Sequence, residues 1–291
     1  MKKPHYLLLG LLMGALLSFT FFLTPIDRAM VQQAAALIGL EMTETEIDSM
    51  LPGLEEHCSS YASIREKDIP NELAPALQFN PLPQGFTINT KQEAVYFDIP
   101  KGIKRPENLD DLAFYSVAQL SALVKSRQIT SVELTEFFLE RLKKHDPTLH
   151  CVIALTGERA LAQARQMDEE LARGQYRSPL HGIPFGAKDL LATRDYKTTW
   201  GAMPYKDQML DFDAAVIEKL EAAGGVLVAK LTLGALAWGD VWYGGKTRNP
   251  WDTEQGSSGS SAGSASAVSA GLVPFAIGTE TWGSIVSPAT V

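Results

Sequence analysis

Histidine is scarce in this 291-residue chain, and it stops early. The five are His5, His57, His145, His150 and His181. A serine nucleophile late in the chain therefore has no imidazole following it. Cysteine is scarcer still. Cys58 and Cys151 are too few for a disulfide framework, and two separate buried thiols are expected rather than a bridge. No paired CxxC, HExxH or EF-hand pattern occurs, so the sequence implies no metal site. No cofactor motif is complete either. Gly239-Asp240-Val241-Trp242-Tyr243-Gly244-Gly245-Lys246-Thr247 approaches a phosphate loop, but Asp240 stands where the first glycine should be. An ordinary glycine turn is expected there. Basic charge is also in deficit: 26 Lys and Arg face 34 Asp and Glu, for a net charge of −8. With no basic stripe, the chain offers no nucleic-acid surface. No internal repeat is visible.

The remaining composition is that of a globular enzyme, with 45% hydrophobic and 9% aromatic residues. The length suffices for one large α/β domain. Three segments are expected. Residues 1–24 open with Lys2 and Lys3 and continue into an apolar run over residues 6–23. A basic start before such a run reads as an export signal, at the border between a cleaved signal and a membrane anchor. It implies an exported protein, periplasmic or held at the membrane through residues 6–23. Residues 25–109 hold a capping box at Thr43-Glu44-Thr45-Glu46, which opens a helix to Met50 before Pro52-Gly53 breaks it. An extended connector follows, punctuated by Pro70, Pro75, Pro81, Pro83, Pro100 and Pro106.

Residues 110–291 are periodic. Val117, Leu120, Leu123 and Val124 lie at helical spacing, and Leu134, Phe137, Phe138, Leu139 and Leu142 form one broad face of a helix starting near Ser131. Val152–Leu155, Ile183–Ala187 and Val226–Lys230 read as strands. Ala160–Ala172 reads as a helix, and Asp213 as the cap of another reaching Ala223. Strands alternating with helices imply an α/β fold, a mixed sheet covered by helices on both faces.

The most informative stretch is Gly256-Ser257-Ser258-Gly259-Ser260-Ser261-Ala262-Gly263-Ser264, followed later by Gly278-Thr279-Glu280-Thr281-Trp282-Gly283-Ser284-Ile285. Composition alone would make the first a flexible linker. A linker would not run into small and then apolar residues from Ala265 to Ile277, which read as a tightly packed helix feeding a buried strand. Gly259-Ser260-Ser261-Ala262-Gly263 also fits the G-x-S-x-G elbow of an α/β-hydrolase, with Ser261 as nucleophile. That elbow needs a buried strand before it and a histidine after it. The chain has polar, turn-forming residues before it and no histidine after it. Lysine can replace histidine as a base if burial lowers its pKa. Lys188 follows the apolar Ile183–Ala187 stretch, which allows either a buried base or a surface lysine capping a strand.

These motifs together resemble the amidase signature family. The serine run and the second Gly-Ser motif match, with Ser260 and Ser284 about two dozen residues apart. Gly182-Ile183-Pro184-Phe185-Gly186-Ala187-Lys188-Asp189 is similar to the family's lysine segment, and Asn249-Pro250-Trp251-Asp252 to its lead-in. The resemblance spans about residues 110–291. It implies that Lys188 is the base. Ser260 is the bridging serine after a cis Gly259–Ser260 bond, and Ser284 is the nucleophile. The backbone N–H groups of Thr281, Trp282, Gly283 and Ser284 are the implied oxyanion donors. It implies hydrolysis of a small carboxylic amide to acid and amine or ammonia, without a cofactor. It also implies a larger C-terminal part than the chain holds, so the fold is expected to be truncated. A protein similar to the glutamyl-tRNA amidotransferase subunit of this family is one alternative, and a non-catalytic envelope protein is another. The chain departs from the family pattern at Ala262 for Gly, Glu280 for Asp, Trp282 for Gly and Val286 for Arg. Trp282 must point away from the pocket or form its wall. Trp282 and Val286 bear on specificity more than on activity.

Overall fold

In the computed structural model, which describes residues 26–70, 73, 76, 79–83 and 85–291, the chain forms two compact units, one up to Lys91 and one from Gln92. The signal or anchor segment lies outside the described residues. Among those described, no helix is long and apolar enough to cross a membrane.

The first unit pairs α1 (Arg28–Leu37) with α2 (Glu44–Arg65). The capping box forms: Glu46 N–H donates to Thr43 Oγ1 at 3.3 Å, and Thr43 N–H donates to Glu46 Oε2 at 2.7 Å. The expected break at Pro52 does not occur, because the helix runs through it to Arg65. Proline removes one rung of the ladder. The run from Leu54 onward has enough helix formers to continue past that gap. Cys58 lies on this helix and is exposed, which corrects the expectation of a buried thiol; Cys151 is buried, and both are free. Residues 66–108 hold no helix or strand among the described positions, in keeping with an extended connector.

The second unit is built on a four-stranded mixed sheet. Its elements are a 3₁₀ turn (Leu109–Phe114), α3 (Val117–Lys125), α4 (Ser131–Leu149), β1 (Val152–Leu155), α5 (Gly157–Ala172), β2 (Pro184–Lys188), α6 (Ala215–Ala222) and β3 (Val226–Leu231). Two small hairpins follow, β4 (Val241–Trp242) with β5 (Gly245–Lys246) and β6 (Arg248–Asn249) with β7 (Asp252–Gly256). The chain then enters α7 (Ala262–Ser269) and β8 (Ala276–Ile277). The strand order is β1-β3-β2-β8; β1 is antiparallel to β3, and the other neighbours are parallel. Every residue of β2 and β3 is buried, as befits central strands covered on both sides. Val226 and Val228 pack with Leu139, Leu142 and Met167 of α4 and α5. Leu227, with Phe185 and Ala187, packs with Ile217 of α6 on the other face.

The α6 helix starts one residue later than a cap at Asp213 would place it, with Ala214 as its cap. Asp213 is drawn away by cations and donors: it pairs with Arg159 at 3.2 Å and accepts the Arg194 N–H at 2.9 Å.

The sheet also buries two lysines on opposite faces. Alternation along β2 puts Ala187 and Lys188 on different sides, and Lys230 is in register with Ala187. Lys230 Nζ lies 2.7 Å from Asp189 Oδ1, and both residues are fully buried. Thr199 donates to Asp189 Oδ2 from its N–H and its hydroxyl, at 2.7 and 2.6 Å. Burial pushes the Asp189 carboxyl up and the Lys230 ammonium down, and their mutual attraction opposes both. Removing one partner would strand the other charge in the core. Asp189→Ala is expected to cost about 3–5 kcal/mol, read as a lower midpoint of urea unfolding. A midpoint shift equivalent to less than about 1 kcal/mol would show that the pair adds no stability.

Candidate active site

Lys188 ends the central strand β2, and its side chain is fully buried. Nζ lies 2.9 Å from Ser260 Oγ, 3.1 Å from Ser261 Oγ and 2.7 Å from Thr279 Oγ1. All three partners are hydroxyls, and no carboxylate among the described residues pairs with the amine. Burial lowers its pKa to about 8, although the field of Glu280 pulls the other way. A neutral amine carries two donors and one lone pair, and each hydroxyl can donate or accept. The three-hydroxyl cradle therefore satisfies the neutral form as fully as the charged one.

Ser260 is also fully buried, and its Oγ lies 3.1 Å from Ser284 Oγ. Lys188, Ser260 and Ser284 thus form one continuous chain of hydrogen bonds. The structure brings together all three residues that the sequence singles out. The Gly259–Ser260 peptide bond is cis, as the resemblance implies. Gly259 is needed for close approach, since a Cβ there would overlap the carbonyl of Gly239. Two contacts tie the serine run to the segment bearing Ser284. Ser261 N–H donates to the Ser284 carbonyl at 3.0 Å, and Ser258 Oγ lies 2.7 Å from Ser287 Oγ.

The contacts of Lys188 with Ser261 and Thr279 are not revealed by the sequence, which offers Ser261 only as an elbow nucleophile. Ser261 is buried at the start of α7, bonded to Lys188, and accepts the Thr279 N–H at 3.2 Å. The strand before it, β7, is mostly exposed, so the segment lacks the buried strand of a hydrolase elbow. The one signal for Thr279 is its place in the Ser284 motif, five residues before the serine.

The four expected oxyanion donors are in different states. Of the four, the N–H groups of Gly283 and Ser284 are already engaged by Glu280 Oε1, the latter at 2.9 Å. Glu280 Oε2 takes the N–H groups of Ile285 and Val286, at 2.5 and 3.1 Å. These four groups open a helical turn in which Ser287 N–H donates to the Gly283 carbonyl. Such unpaired N–H groups attract an anion. Glu280 makes no salt bridge among the described residues, and its carboxylate folds onto these N–H groups. These bonds hold its pKa below the usual carboxylate range. Thr281 and Trp282 N–H make no hydrogen bond among the described residues.

A cavity of about 320 Å³ opens beside Ser260 and Ser284. No group of three or more His, Cys, Asp or Glu side chains converges on a metal-sized space among the described residues.

A fully buried lysine at the end of a central strand of a mixed sheet, linked through one serine to a second, defines an α/β protein with a lysine–serine–serine relay. The sequence model of one family, described as Amidase, matches residues 133–291, and the chain belongs to that family. It is 43% identical over 179 residues to a glutamyl-tRNA(Gln) amidotransferase subunit of Coxiella burnetii (strain RSA 493 / Nine Mile phase I), covering 60% of this chain and 37% of that protein. The chain thus spans little more than a third of the length of such curated relatives. Native peptide amidase from Stenotrophomonas maltophilia superposes with a TM-score of 0.56 at 38% identity, covering 60% of this chain and 38% of that one. Fatty acid amide hydrolase, at 24% identity and a TM-score of 0.59 over 62% of this chain and 32% of its own, shares the fold.

Proposed function

We propose that the protein hydrolyses a carboxylic amide to acid and amine or ammonia through a serine acyl-enzyme. The observation that carries this reading is the unbroken contact from Lys188 Nζ through Ser260 to Ser284, at 2.9 and 3.1 Å. With Lys188 neutral, the hydroxyls turn so that Ser284 donates to Ser260 and Ser260 to Lys188. Ser284 Oγ attacks the amide carbon while its proton passes to Ser260 and the proton of Ser260 to Nζ. The oxyanion meets the free N–H groups of Thr281 and Trp282; those of Gly283 and Ser284 join once Glu280 swings out. Lys188 returns its proton through Ser260 to the departing nitrogen, and the C–N bond breaks. Water then attacks the ester by the same route. The enzyme of this reading is exported, on the strength of Lys2, Lys3 and the apolar run at 6–23.

A direct test offers hydroxylamine with a simple amide. A serine acyl-enzyme gives the hydroxamate alongside the acid. Release of neither, from any amide of a varied panel, would point to a protein that keeps the fold without catalysis. The likeness to the amidotransferase of Coxiella burnetii favours a second reading, in which the chain is part of such an assembly. Glutamine would then be cleaved in preference to neutral amides.

Glu280 sets a further expectation. Its charge raises the Lys188 pKa. Glu280→Gln is therefore expected to move the ascending limb of the pH–rate profile to lower pH. A limb left in place would show that Lys188 does not feel that charge.

A further inference from the structure

The cavity beside Ser284 has a wall that the relay does not use. Trp238 and Trp282 line it, together with Ala237, Gly239 and Ser258. None of the residues around it carries a charge. The two indoles come from separate segments, yet their rings lie 5.8 Å apart, tilted by 30°. At that spacing they are already in aromatic contact, and no flat group fits between them. A ligand would lie along the surface they share. Both residues are largely exposed, Trp238 at 70% and Trp282 at 82%. Neither is packed into the core of the described residues, and the pair forms an apolar surface directly beside Ser284.

The backbone holds Trp238 firmly beside the serines. Leu236 and Ala237 adopt left-handed conformations, with φ of 53° and 65°, as does Ser258 at 59°. Non-glycine residues held there cluster at ligand clamps. A Cβ at Gly234 would overlap the carbonyls of Trp238 and Gly239, so the turn can close only on glycine. The Gly239 carbonyl in turn packs against Gly259, next to Ser260. The shelf and the relay are thus locked together.

We propose that Trp238 and Trp282 form a neutral aromatic shelf that binds an aryl or arylalkyl acyl group, making uncharged amides of aromatic acids the substrate class. This rests on the reading of Ser284 as nucleophile. The acyl group is the part of the substrate that becomes tethered to Ser284, and the cavity opens on that residue.

The test compares how fast phenylmethanesulfonyl fluoride and methanesulfonyl fluoride modify Ser284 in the 291-residue chain, followed by peptide mass and corrected for the reagents' intrinsic reactivity. In each case Oγ forms a bond to sulfur and fluoride leaves. The phenylmethyl reagent is expected to react about tenfold faster or more, the range that an apolar pocket supplies. Trp238→Ala and Trp282→Ala should bring the ratio below about threefold, and Trp238→Phe should retain it. Equal rates in the parent chain, or a ratio unchanged in both alanine variants, would overturn the shelf while leaving the nucleophile in place. Modification of Ser284 by neither reagent would overturn the nucleophile, and the shelf with it.

Discussion

Ser284→Ala is expected to reduce amide hydrolysis to background, a loss of roughly 10⁴-fold or more. Ser284 is the half-buried end of the relay, and it borders the cavity. Neither neighbouring hydroxyl can replace it. Ser260 is fully buried, its oxygen held between Lys188 and Ser284. Ser261 is buried and bonded to Lys188 and Thr279. Ser261→Ala should therefore leave the labelled residue unchanged. Retention of more than about a tenth of the rate in Ser284→Ala would remove this serine from the chemistry, since loss of a nucleophile costs far more.

Lys188→Met should lower the rate by about 10²–10⁴-fold, the usual contribution of a general base. It should also abolish the ascending limb near pH 8, where burial places the Lys188 pKa. The same shift predicts how stability varies with pH. The folded pKa of about 8 lies below the unfolded value of about 10.4. Between the two, the unfolded chain binds more protons, so stability rises with pH through that window. Below pH 8 the folded state carries the full cost of a buried ammonium. Urea unfolding of the parent chain should show this slope between pH 8 and 10, and Lys188→Met should show a shallower one, since the depressed Lys230 pKa acts in the same direction. A limb that survives the substitution would assign it to another group.

The candidate site is legible in the sequence through the resemblance of three ordered motifs, two of them rich in glycine and hydroxyls. The apolar stretch before Lys188 leaves a surface lysine equally open, and it is the structure that shows the side chain buried. Strands β1 to β3 and helices α3 to α6 are legible from their apolar runs and periodicity, whereas the two-residue strands β4, β5 and β6 are too short to show a pattern. The differences have local causes. Pro52 reads as a helix end, yet one missing rung does not stop the helix reaching Arg65. Asp213 reads as a cap, but Arg159 and Arg194 hold it elsewhere. The oxyanion donors follow from a motif, whereas their availability depends on where Glu280 points. That orientation follows from the turn of unpaired N–H groups after it, which no spacing reveals. Thr279 is hidden for a similar reason: its hydroxyl matters only because the fold returns the chain to Lys188.

The most direct measurement is peptide mapping after the folded 291-residue chain has reacted with a fluorophosphonate. The expected result is one adduct, on Ser284, forming faster as the pH rises through 8. An adduct on Ser261, or none on the folded chain, would contradict the relay as the catalytic device.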